Sequence, residues 1–128
     1  MNKTILLTGL VLGILAIILG AFGAHGLKKV LTVDELSSFE TGVKYQMYHA
    51  LFLILLSLLD VDDATKKPVF YLITLGVILF SFSIYLLATR NATGIDIRSF
   101  GFITPVGGLL MILGWAYLLW NVFSKKIV

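Results

Sequence analysis

Four apolar stretches, at residues 4–26, 42–59, 69–89 and 105–123, alternate along the chain with short polar or charged segments. A helix needs roughly 20 apolar residues to cross the hydrocarbon of a bilayer. The pattern therefore predicts an all-α integral membrane bundle of four transmembrane helices in a single domain, residues 1–128. Met1-Asn2-Lys3 ahead of an apolar run imitates a secretory signal. The run is longer than a signal core of about 7 to 15 residues, so it is expected to stay as the first span.

Within the spans, small residues recur at helical spacing. Gly9, Gly13, Ala16 and Gly20 fall every three or four residues on the first, and Gly101 with Gly108, and Gly107 with Gly114, repeat at seven near the fourth. Small residues let helix backbones approach closely where lipid gives no hydrophobic drive to associate. They are expected to pack helices and to promote a homo-oligomer.

The connectors carry punctuation. Thr32 and Glu35 have the spacing of a capping box, which predicts a short interfacial helix between the first and second spans, with Val33, Leu36 and Phe39 on one side. Residues 60–67 read as a charged turn. Pro68 suits the first turn of the third span, and Thr104 with Pro105 suits the N-cap and first residue of the fourth, because those positions need no backbone N–H. A glycine-bearing loop with Asp96 and Arg98 is expected over 91–103.

Composition agrees with lipid as the main solvent. The 128 residues are 59% hydrophobic and 13% charged, with a mean hydropathy of +1.00, against about a quarter charged in soluble domains. The net charge of +3 comes from basic residues at the ends of apolar runs, where they meet lipid headgroups. No basic patch stands clear of the bilayer to hold nucleic acid. The absence of cysteine excludes disulfides, thiolate nucleophiles and cysteine-held metals. Orientation is a tie under the positive-inside rule: Lys3, Lys66, Lys67, Lys125 and Lys126 face Lys28, Lys29, Lys44, Arg90 and Arg98.

Three segments carry a resemblance: Ala21-Phe22-Gly23-Ala24-His25-Gly26-Leu27-Lys28, the motif from Glu40-Thr41-Gly42 through Lys44-Tyr45-Gln46-Met47-Tyr48-His49-Ala50-Leu51, and Ile103-Thr104-Pro105-Val106-Gly107-Gly108. With them the chain resembles the small bacterial membrane proteins of domain of unknown function 423, or uncharacterised protein family 382, similar to an animal small transmembrane family. The resemblance covers nearly the whole chain. It implies a multi-pass protein of the cell membrane and brings no established activity. Phe82 departs from it, standing where a small residue is expected between Ser81 and Ser83.

Four-span connectivity puts the end of the first span, the start of the second, the end of the third and the start of the fourth on one side. The candidate ligand-binding residues His25, Glu40, Lys44, Tyr45, Tyr48, His49 and Arg98 all belong to that half. Glu40 and Lys44 are spaced for an ion pair. His49 lies roughly 6 to 9 Å into its span at 1.5 Å per residue, so it must face protein, water or a ligand.

A structural role accounts for each: tyrosines as an interfacial belt, His25 as a cap on free carbonyls, and His49 bonded to Ser83 or Thr104 of a neighbouring helix. Sharper expectations compete with it. One is a polar vestibule for a lipid headgroup or small solute, with a transporter or channel for a small solute as its variant. Against transport, no inverted repeat or broken mid-span helix is evident. Another is a bis-His haem or a metal on His25 and His49. No resident cofactor or metal is otherwise expected. Catalysis is not expected, since no nucleophile elbow or phosphate loop is present. Membrane lipids are the expected partners, together with a second copy of the chain, and no protein partner is indicated.

Overall fold

The computed structural model describes residues 1–124; Lys125 and Lys126, which enter the charge comparison, lie outside the described residues. Every element is helical: α1 (Asn2–His25), α2 (Val33–Leu58), α3 (Asp63–Val77), a π-helical turn (Ile78–Phe82), α4 (Ser83–Ala88), α5 (Arg90–Thr93) and α6 (Ile103–Ser124). Short 3-10 turns, Leu27–Lys29 and Arg98–Phe100, sit in two connectors. Three stretches, Asn2–Lys29, Asp63–Ala88 and Arg98–Ser124, are long and apolar enough to cross a membrane. Helix α2 has 26 residues, but its polar first half sets it apart from those three.

Helix α2 runs antiparallel along α1. Gly9 lies against Ala50 and Ile54, Gly20 against Val43, and Gly23 against Phe39. Helix α6 packs in the same way on α3, through Gly107 against Gly76 and Phe80 and Gly114 against Ile73. The glycine stripes expected to join two copies are thus spent inside one chain. Two positions leave the pattern: Gly101 belongs to the connector, where a Cβ would meet the Arg98 carbonyl, and a Cβ on Gly108 would meet only the Phe80 ring, at 3.6 Å. Between the two hairpins Leu12, Leu53, Leu56, Ile73, Val77 and Met111 form the main core. A smaller cluster of Leu27, Leu31, Phe39, Tyr85 and Ala88 closes one end, with Phe82 packed against it.

Several boundaries move from their expected places. The capping box is present, with Thr32 Oγ1 accepting from Glu35 N–H at 3.1 Å and Glu35 Oε1 accepting from Thr32 N–H at 2.9 Å. It opens α2 itself, which continues unbroken to Leu58, so no separate interfacial helix precedes the second span. The charged turn is mostly helix. Asp62 caps α3, Pro68 falls in its second turn, and Lys66 is 2% exposed. The Lys66 ammonium donates to Asn2 Oδ1 at 3.0 Å and to the Ser57 carbonyl at 3.2 Å. Ser57 offers one of the last carbonyls of α2, which lack intrahelical donors and carry the negative end of the dipole. One buried cation therefore ties the ends of three helices. Thr104 lies inside the first turn of α6 rather than at its cap, and its hydroxyl pairs with Ser83 Oγ at 2.6 Å.

The π-helical turn was not foreseen. A π turn inserts one extra residue into a helical repeat, and here Gly107 presses on its backbone while Ser81 donates to the Gly42 carbonyl at 2.8 Å. Gly42 also makes room for a neighbouring ring: a Cβ there would come within 2.7 Å of Tyr85.

Candidate functional site

A side chain that enters lipid must bring its hydrogen-bond partners with it. Gln46 is fully buried on α2. Its Nε2 donates to the Leu12 carbonyl of α1 at 2.8 Å, and its Oε1 accepts from the Tyr85 hydroxyl of α4 at 2.6 Å. Three helices are stitched by that one amide. The signal was in the sequence, since a glutamine in the middle of a span must find protein partners, but its partners were not.

Almost one turn further along α2, His49 is buried and meets α6. The indole N–H of Trp115 donates to Nε2 at 3.0 Å, and Nδ1 lies 2.7 Å from the Tyr45 carbonyl. Indole is a donor only. Nε2 therefore accepts, Nδ1 carries the proton and donates to Tyr45, and the neutral imidazole has both nitrogens satisfied. Ser83 and Thr104, the partners expected for it, bond each other instead. His49 is also deeper than expected: its neighbour Ala50 packs on Gly13, halfway along α1.

Beside this pair α2 and α6 stand apart. The space between them is a lateral cleft of about 400 Å³, walled by Tyr45, His49, Phe80, Gly108, Met111 and Trp115, with Thr41 at one end. Aromatic rings line it, Tyr45 with Phe80 at 5.2 Å and His49 with Trp115 at 6.0 Å between centroids. Its walls are largely apolar.

The other candidates are dispersed. Glu40 and Lys44 flank a separate groove against Gly20 and Gly23 of α1. Among the described residues they form no ion pair, and Asp96 with Arg98 is the only one. Tyr48 is exposed and touches the cleft only through the Tyr45 ring at 5.6 Å. Arg98 clamps Asp96 in the outer connector, Nη2 to Oδ2 at 2.8 Å. His25 is exposed at the end of α1 and caps no carbonyl; the Gly26 N–H closes that helix on Phe22. It stands about 18 Å along α1 from the Gly13 level that His49 occupies, at 1.5 Å per residue. The two histidines therefore do not fit axial ligation of one haem, and among the described residues no cluster of histidine and acidic side chains suits a metal. Of the residues expected to line a polar vestibule, Tyr45 and His49 instead wall a largely apolar cleft at mid-length.

Trp115 is the wall residue that sequence reasoning missed. It sits twelve residues into α6, far from either interfacial belt, and a tryptophan there needs an acceptor for its N–H.

Three long apolar helices and a polar-centred fourth, joined by buried side-chain hydrogen bonds, define a helical membrane protein. The chain belongs to the family described as protein of unknown function DUF423, whose model matches residues 19–108. A UPF0382 membrane protein of Staphylococcus haemolyticus is 38% identical over 95% of this chain and 97% of its own length. A counterpart in Haemophilus influenzae is 37% identical over 98% and 97%. The UPF0382 inner membrane protein of Escherichia coli is 34% identical over 98% and 93%. No solved structure matches.

Proposed function

We propose that the chain is a four-span protein of the cell membrane that acts without catalysis, holding an apolar chain or small amphiphile in the cleft between α2 and α6. The fourth crossing is supported by α2, whose 26 residues pack along the whole of α1 and place Gln46 and His49 against protein rather than lipid. The observation that carries the binding reading is the cleft itself. Glycine contacts zip α2 to α1 and α6 to α3, whereas between α2 and α6 a space of about 400 Å³ is left at mid-length, walled by aromatic and apolar groups. Both histidine nitrogens are occupied, so the wall offers little beyond the Tyr45 hydroxyl for polar recognition. An acyl chain meets that description.

The test is native mass spectrometry of the gently extracted protein beside Gly108→Leu. A Cβ at Gly108 makes only ordinary contact with Phe80, at 3.6 Å, so the longer side chain fills the cleft without displacing backbone. An extra mass on the parent protein that disappears in the variant supports the proposal. The same spectrum from both, with or without an extra mass, refutes it.

A further inference from the structure

The cleft does not end at Thr41. That residue also lines a second groove of about 350 Å³ between the start of α2 and the end of α4, where Asp34, Glu35, Ser38 and Arg90 converge. On α2 the positions Asp34, Ser38, Thr41, Tyr45 and His49 follow one another at steps of four, three, four and four. That spacing keeps them on one helical face. From Asp34 to His49 is fifteen residues, or about 22 Å at 1.5 Å per residue. One leaflet, headgroup included, is half of a 40–45 Å bilayer, or about 20–22 Å.

The charges at the outer end are of both signs, and Arg90, although near Glu35, forms no ion pair with it among the described residues. Glu35 is committed: Oε1 takes the Thr32 N–H and Oε2 takes Asn91 Nδ2 at 2.9 Å. The Asp34 carboxylate has no protein partner among the described residues. Arg90 uses Nη1 for the Leu87 carbonyl at 2.8 Å. A guanidinium has five N–H donors in a fork that matches phosphate, so most of its donors remain.

We infer that the groove and the cleft together form one binding track for a single phospholipid with an amine-bearing headgroup. Arg90 receives the phosphodiester, Asp34 the ammonium, and an acyl chain runs past Thr41 to the Tyr45, His49 and Trp115 walls. An anionic lipid without an amine leaves Asp34 facing a negative headgroup. A choline lipid offers Asp34 no N–H to donate. This inference rests on the cleft reading and adds the headgroup class to it.

The experiment is lipid exchange into nanodiscs of equimolar phosphatidylethanolamine, phosphatidylglycerol and phosphatidylcholine, followed by native mass spectrometry and identification of the retained lipid. The expected result is about one retained phosphatidylethanolamine per chain. Asp34→Asn lowers its preference over phosphatidylglycerol about fivefold, and Asp34→Glu restores it. Arg90→Gln weakens retention of all three, as removal of a phosphate contact should. Because Asp34 is exposed at a helix start, its variants keep the melting temperature of the parent, which is recorded alongside. Equal retention of the three lipids, or an Asp34→Asn variant that keeps the parent's preference, overturns the headgroup assignment while leaving the cleft reading in place. No retained lipid of any class on the parent protein overturns both.

Discussion

Gly107 and Gly76 meet backbone to backbone: a Cβ on Gly107 would lie 2.7 Å from the Gly76 carbonyl oxygen, and one on Gly76 would lie 2.9 Å from that of Gly107. The contact joins α6 to α3 just before the π-helical turn. Backbone on both sides leaves no flexible side chain to yield. Gly107→Ala is therefore expected to destabilise the bundle by about 3 kcal/mol, the upper range for overpacking a tight site. Gly108→Ala, one residue on, should stay close to the parent. Unfolding curves of the two variants in the same detergent check the contrast, and equal stabilities would refute the packing argument.

The hydrogen bond from Trp115 to His49 should carry measurable coupling. Trp115→Phe leaves Nε2 of the histidine without its donor, and His49→Phe leaves the indole N–H without its acceptor. Side-chain hydrogen bonds between membrane helices are worth about 1 kcal/mol. A double-mutant cycle on thermal unfolding should return coupling of that size, and additive single effects would contradict the bond.

Tyr85→Phe removes the donor to Gln46 Oε1 in a fully buried setting. A buried acceptor left unpaired costs about 1–3 kcal/mol. Gln46→Leu in the same background removes the orphaned amide and should recover part of the loss. A double variant less stable than Tyr85→Phe alone would mean that the amide contributes through its bond to Leu12 instead.

In the connector, hydrogen bonds from the Arg98 side chain and backbone hold the Asp96 carboxyl down at about 2, from an ordinary value near 3.8. A depressed carboxyl favours the folded connector above its unfolded value, and that contribution disappears as pH falls from about 4 through 2. Carbon-13 NMR of the Asp96 carboxyl should give a midpoint near 2, moving back toward the ordinary value in Arg98→Gln. A midpoint near 4 in the parent would mean that the clamp does not persist in solution.

Much of the bundle was legible because lipid imposes simple rules on sequence. Apolar runs of span length marked three of the crossings, the Thr32 and Glu35 spacing marked a helix start although not that it opens the second span's own helix, and glycines at helical intervals marked close-packed faces. What those faces pack against was not legible. A glycine stripe serves a second copy or a neighbouring helix equally well, and only the fold assigned Gly9 to Ala50 and Gly107 to Gly76.

The sequence by itself determined the solvent, the helical class and the presence of polar groups that must be satisfied within the spans. Tertiary structure alone decided the partners: Gln46 with Leu12 and Tyr85, His49 with Trp115, and Lys66 with Asn2 and Ser57. It also decided that Glu40, Lys44, Arg98 and His25 stay outside the cleft that Tyr45 and His49 line. The reason is geometric. Helical periodicity fixes the direction of a side chain about its own axis, while the neighbour it meets depends on how far each helix is turned and slid against the next. Those offsets come from contacts between residues distant in sequence, such as Gly107 on the π-helical turn, which no local pattern encodes.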